Sequence, residues 1–349
     1  MLASQEGIAG ASAGTLQRAA DAAGTLRQAS SGLSGRLRSI DALRGVAALG
    51  VVMFHARAAV SLVPSRWFDA FLNGVLFFGR YGVWLFFVIS GFCIHLRWAK
   101  EQQAVLSPHI DFRTFWKRRF RRLYPPYLFA FFLYVACLMA EGLSWTPSKL
   151  REIGLNLVML SNVNQGAADA VNGVFWTLAV EEQLYLAYFL LVRWRVRFGW
   201  AVTLACCFAI RAAWFALALL VYRTTGAQLL VVQAAASQWI IWALGALSVE
   251  VALGLSTVPA WCRNGWIGTA ILLVTGGTTY AYAFWRWGGS DTAYSTALLP
   301  AGWLDQGCWF ISDLLWGVGF FVWVNAAVAV ERRWGVRAHV PRLVLYCST

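Results

Sequence analysis

Arg44 and His55 stand eleven residues apart at the two ends of RGVAALGVVMFH, a run otherwise apolar enough for a lipid bilayer. On a helix, eleven steps of about 100° end roughly 20° past three full turns, so both side chains share one face about 16 Å apart. That places a cation at the membrane edge and a titratable ring near the middle of a hydrocarbon layer roughly 30 Å thick. Taken alone, Arg44 can snorkel to the interface and His55 can be a structural hydrogen bond between helices. Their shared face favours one lumen presenting both, with His55 able to move a proton near neutral pH.

Two further clusters stand inside or beside apolar runs. In FWTLAVEEQLYLAYF, Thr177, Glu181 and Tyr185 follow one another at i, i+4 and share a face. Glu181 and Glu182 point about 100° apart, so one of the two faces any given cavity. The bland alternative is a salt bridge to an intramembrane arginine such as Arg211. In WKRRFRRLYPPY, Arg119 and Arg122 are adjacent at i, i+3, and Arg118 and Arg121 form a second such pair. Planar, permanently charged forks suit phosphate oxygens. The same cluster also fits anchoring to anionic lipid.

The elements that carry these groups are read from composition. Of the 349 residues, 59% are hydrophobic and only 13% charged, with a mean hydropathy of +0.58. Globular domains carry about 25% charged residues, so this is an all-α, polytopic helical membrane bundle. Apolar runs predict spans at about 41–62, 81–97, 124–141, 174–192, 199–221, 234–255, 265–284 and 308–330, with a ninth starting at Pro341. REIGLNLVML (151–160) is too short to span and reads as a surface or re-entrant helix.

The net charge of +13 is distributed by loop. Eight basic residues lie between spans two and three, including Arg97, Lys100, Arg113 and Lys117. Arg193, Arg195 and Arg197 follow span four, and Arg332, Arg333, Arg337 and Arg342 follow span eight. Arg18, Arg27, Arg36 and Arg38 precede span one, whereas the intervening loops are poorer in Lys and Arg. This alternation is the positive-inside pattern, with a cytoplasmic N-terminus, and it leaves no footprint for nucleic acid. Residues 1–38, rich in Ala, Gly and Ser, read as a disordered or partly helical cytoplasmic tail rather than a secretory signal. The seven cysteines show no CxxC spacing and read as small hydrophobes, with no metal site.

Taken together, SIDALRGVAALGVVMFH (39–55), GVWLFFVISGF (82–92), RRFRRLYPPY (118–127) and VNGVFWTLAVEEQLYL (171–186) resemble the membrane-bound acyltransferase 3 family, which includes O-antigen and exopolysaccharide O-acetyltransferases. The match runs from about residue 38 onward, making 39–349 the transmembrane domain. The resemblance implies an enzyme of the inner (plasma) membrane. It would take an acyl group, usually acetyl, from cytoplasmic acyl-CoA and pass it to a hydroxyl of a saccharide or lipid-linked glycan. Arg44 and His55 match the family's Arg-x10-His pair, and Arg119 and Arg122 its Arg-x-x-Arg. Glu181 and Tyr185 match the pattern WSLxxExxFY, with Thr177 for serine and Leu184 for phenylalanine. Trp84 stands where the family often has an acidic or polar residue. The family usually has about ten spans. Here RLVLYCST begins its closing motif and stops before the histidine, so the final helix is expected to be incomplete.

These readings imply a division of labour. Arg119, Arg122 and Arg44 bind the donor, while His55 takes the acceptor's proton with Glu181 orienting it. Tyr185 and Thr177 support the site. A small-molecule or lipid acceptor, a transporter or flippase with charges lining a path, and an inactive truncated homologue are the rival readings.

Overall fold

A computed structural model describes residues 37–60, 76–104, 110–226, 229–287 and 303–334. The expected N-terminal tail up to residue 36, the ninth span and the closing motif lie outside the described residues. The elements are α1 (Arg38–Val60), α2 (Gly82–Ala104), α3 (Phe112–Ala140), α4 (Pro147–Leu157), α5 (Gln165–Asp169), α6 (Trp176–Thr225), α7 (Ala235–Leu253), α8 (Gly265–Trp287) and α9 (Trp303–Trp334), with 3₁₀ turns at Phe78–Tyr81 and Ala260–Arg263. There is no strand among the described residues.

Six of these helices are long and apolar enough to cross a membrane. One of them, α6, has 50 residues and would be about 75 Å long if straight, more than twice the hydrocarbon thickness. It is interrupted at Gly199, whose φ of 77° and ψ of 178° suit a residue without a Cβ. The stretches on either side cover the expected fourth and fifth spans. The expected seventh span, 265–284, is helical as α8. Expected span three begins earlier than its apolar run does. Asp111 caps α3, accepting from the Arg113 amide at 3.1 Å and from the Thr114 hydroxyl, so the basic cluster belongs to the same helix. The segment read as a surface or re-entrant helix is α4, capped by Thr146 with Pro147 at its first position. The Tyr127 hydroxyl ties it to α3 by donating to the Asn156 carbonyl.

The core is centred on α7, in which every residue from Ser237 to Leu253 is buried against α2, α6 and α9. Close approach of α2 and α7 rests on two facing glycines. A Cβ on Gly91 would strike the Trp242 carbonyl, and one on Gly245 the Val88 carbonyl. Beside this crossing, Glu250 of α7 is fully buried and satisfied five times over. Its carboxylate accepts from Arg195 at 2.7 Å on both oxygens, Trp200 at 2.8 Å and Ser256 at 2.7 Å, and pairs with His95 at 3.0 Å. Arg195 and Trp200 flank Gly199, so one carboxylate clamps the bend of α6 onto α7 and α2.

Long-range contacts collect the basic segments at one end. Arg195 lies over the Trp98 ring, Glu331 accepts from the Arg38 and Ser39 amides at 2.9 and 3.0 Å, and Arg332 donates to the Ala252 carbonyl. The start of α1, the end of α2, the bend of α6 and the end of α9 therefore lie together.

Candidate active site

A cavity of about 390 Å³ opens between α1, α2, α3 and α6. Each helix gives it one face, by spacing. From α2 come Phe86, Ser90 and Cys93 at i, i+4, i+7, and from α6 come Thr177, Glu181 and Tyr185 at i, i+4, i+8. The first turns of α1 supply Arg44, with Val51 two turns further on, and α3 supplies Arg119 and Arg122. Six of the seven residues singled out from sequence thus line one cavity.

The charged groups are held in distinct ways. Arg44 is half-buried, paired with Asp41 at 3.2 Å, and donates to the Cys93 sulfur at 3.2 Å. Arg119 is half-buried, its guanidinium lying 5.7 Å from the Phe115 ring centre and 5.8 Å from that of Tyr185. Arg122 is exposed at the rim. The competing pair is resolved by orientation. Arg118 donates to the Thr114 carbonyl at 3.1 Å and lines a neighbouring groove with Trp98 and Tyr188. Three cations and one carboxylate therefore line the cavity, a balance that attracts anions.

Glu181 is the carboxylate that faces this space. Its Oε1 accepts from the Ser90 hydroxyl at 2.6 Å and from the Tyr185 hydroxyl, and Ser90 in turn accepts from Trp242 Nε1 at 3.2 Å. Both bonds fall on one oxygen, so Glu181 Oε2 accepts no protein hydrogen bond among the described residues. Glu182 points away and is buried. Neither carboxylate takes Arg211, which donates to the Ser237 and Phe310 carbonyls at 2.6 and 2.9 Å and approaches Asp313 at 3.8 Å. Thr177 turns its hydroxyl to the Val174 carbonyl at 3.0 Å. Leu184 and Trp84 are both buried, Trp84 against the Tyr81 ring with centres 5.3 Å apart.

His55 is the seventh residue, and it is not among the cavity's lining residues. It lies one turn beyond Val51 on the same face, exposed, with its ring edge-on to Phe54 at 5.1 Å between centres. Cavity and histidine thus succeed one another along α1. Beyond the apolar lining, the cavity adds the Ser90 hydroxyl, to which the sequence reading assigned no role, and the Cys93 thiol, expected only as a small hydrophobe. Ser90 is the only hydroxyl in GVWLFFVISGFCI, which was the available signal.

Comparison with known proteins bears on this arrangement. The chain is 31% identical over 180 residues to O-acetyltransferase OatA of Staphylococcus aureus (strain NCTC 8325 / PS 47), covering 46% of this chain and 26% of that protein. It is 28% identical over 175 residues to peptidoglycan O-acetyltransferase OatA of Listeria monocytogenes serovar 1/2a (strain ATCC BAA-679 / EGD-e), covering 44% of this chain and 24% of that protein. The matches thus span about a quarter of the length of these relatives. No solved structure matches the chain. The acyltransferase-domain model of the acyltransferase 3 family matches residues 37–348, nearly the whole sequence and all four cavity-lining helices, and the chain belongs to that family.

Proposed function

We propose that this protein is a multi-pass plasma-membrane O-acyltransferase that moves an acyl group, acetyl by analogy with its relatives, from acyl-CoA to a hydroxyl of a glycan. The observation that carries the reading is the convergence of Arg44, Arg119 and Arg122 with Glu181 and Tyr185 on one cavity. By the positive-inside rule the basic end of the bundle faces the cytoplasm, where acyl-CoA resides. A cavity of about 390 Å³ is at the small end of ligand pockets. It suits the acyl thioester and its arm, leaving the nucleotide phosphates to the rim at Arg119 and the exposed Arg122. The acceptor approaches from the His55 side of α1, opposite the basic end. The names of the relatives favour a peptidoglycan or similar glycan as acceptor.

In this reading His55 takes the proton of the acceptor hydroxyl as its oxygen attacks the thioester carbon. A carbon–oxygen bond forms, the carbon–sulfur bond breaks, and the departing thiolate receives the proton from the imidazolium. Glu181, with Oε1 fixed by Ser90 and Tyr185, lines the cavity beside the bound donor in this reading.

The test is donor binding and consumption by purified protein. Arg119→Ala with Arg122→Ala should weaken acyl-CoA binding at least tenfold, less so at high salt because exposed charges are screened. Lysine at both positions should restore only part of the affinity, since the bidentate geometry is lost. A double alanine variant that binds acyl-CoA normally returns the cluster to lipid anchoring. Wild-type protein that never consumes the thioester in the presence of glycan overturns the enzyme reading in favour of a transporter.

A further inference from the structure

A second, larger concavity lies away from the proposed active site, between α1, α8 and α9 at the basic end of the bundle. Its volume is about 920 Å³. We infer that this groove is a binding site for an anionic phospholipid, with the headgroup phosphate held by Arg263 and Arg333 and the acyl chains lying against α8 and α9. The inference goes beyond the proposed acyl transfer and does not depend on it.

The rim and the walls differ in chemistry. The rim carries Arg38, Arg263 and Arg333 against a single carboxylate, Glu331. That carboxylate is committed to the first turn of α1, accepting from the Arg38 and Ser39 amides and from the Ser39 hydroxyl at 2.5 Å. It therefore neutralises a helix N-terminus rather than Arg263 or Arg333. The rim keeps a net positive charge on two separate elements, the Ala260–Arg263 turn and the end of α9.

Below the rim the walls are apolar. Ala326, Ala327 and Val330 of α9 face Trp266 at the start of α8. The polar wall groups are spent on each other, with Trp323 Nε1 donating to the Thr269 hydroxyl at 3.1 Å and that hydroxyl donating to the Gly265 carbonyl at 2.9 Å. Such a wall offers a soluble phosphate compound nothing, but it matches an alkyl chain. Trp266, 84% exposed at the same level as the arginines, has the place of an interfacial tryptophan. A cationic rim over an apolar wall, on a bundle built of membrane-spanning helices, selects a phospholipid over a free phosphate.

Native mass spectrometry of the purified full chain, released from a mixture of phosphatidylglycerol and phosphatidylcholine, tests this. Wild type should retain phosphatidylglycerol about tenfold over phosphatidylcholine. The double variant Arg263→Gln, Arg333→Gln should lose that preference, and Arg263→Lys with Arg333→Lys should keep most of it. Trp266→Ala, a change at an exposed side chain, should lower retention of both lipids while leaving the fold intact. Arg223→Gln, at the far end of α6, is the control for loss of a positive charge away from the groove and should change nothing. Equal retention of the two lipids by wild type overturns the site, as does undiminished preference in the double glutamine variant. Competition by inorganic phosphate alone would assign the arginines to a soluble anion and overturn it too.

Discussion

At the scale of the residue, His55 separates chemistry from structure most sharply. It shares the Arg44 face but sits one turn beyond the cavity wall, where an acceptor would meet a donor's acyl group. The proposed role of His55 as general base predicts that His55→Ala cuts turnover by roughly 10²–10⁴ while donor binding stays near normal. His55→Gln keeps a hydrogen-bonding side chain of similar reach but cannot take the proton, so it should be nearly as inactive. Acyl transfer and membrane abundance measured together decide the matter, and an active glutamine variant would sink the assignment. The residues that sequence made legible are those whose type is costly in lipid, Arg44, Glu181 and the arginine pair, because a charge in an apolar run needs a reason. Ser90 was hidden because a hydroxyl in a helix can be satisfied by its own backbone. Its real partner, Glu181, lies 91 residues away on another helix. The pairing of Arg211 with Asp313 rather than a span-four carboxylate was hidden by the same separation.

At the scale of the element, hydropathy located the helices well and their ends poorly. The basic extension of α3 was invisible to an apolar-run criterion, since its helicity comes from the Asp111 cap and good helix formers rather than from burial. Helix proximity was not legible either, because a glycine in an apolar run reads the same whether or not another helix touches it. The α2–α7 crossing turns that into a prediction. Gly245→Ala drives a methyl into the Val88 carbonyl and should destabilise by about 1–3 kcal/mol, seen as a lower melting temperature in detergent. Gly277 of α8 has nothing within 4 Å of the Cβ position, so Gly277→Ala should be neutral or stabilise by about 0.4–1 kcal/mol. Equal behaviour of the two variants would mean that the crossing is not tight.

At the scale of the whole molecule, the basic residues at the end of α2, at the bend of α6 and at the end of α9 share an end with the start of α1, as the charge pattern anticipated. Single cysteines at Lys100, Arg113 and Arg197 should therefore all resist an impermeant thiol reagent applied to intact cells and react after permeabilisation. Labelling of any of them from outside would invert the orientation. The same architecture bears on how the chain is made. The helix α7 carries Glu250, Gln238, Ser237 and Ser248 on buried faces all round it, and an isolated ionised Glu250 in lipid would be costly. Its sockets, α2 and α6, precede it in the sequence and so emerge first from the ribosome. By the time Glu250 is synthesised, His95, Arg195 and Trp200 have already been delivered to the membrane. The order of the genetic message therefore spares a core helix with a buried carboxylate a solitary residence in lipid.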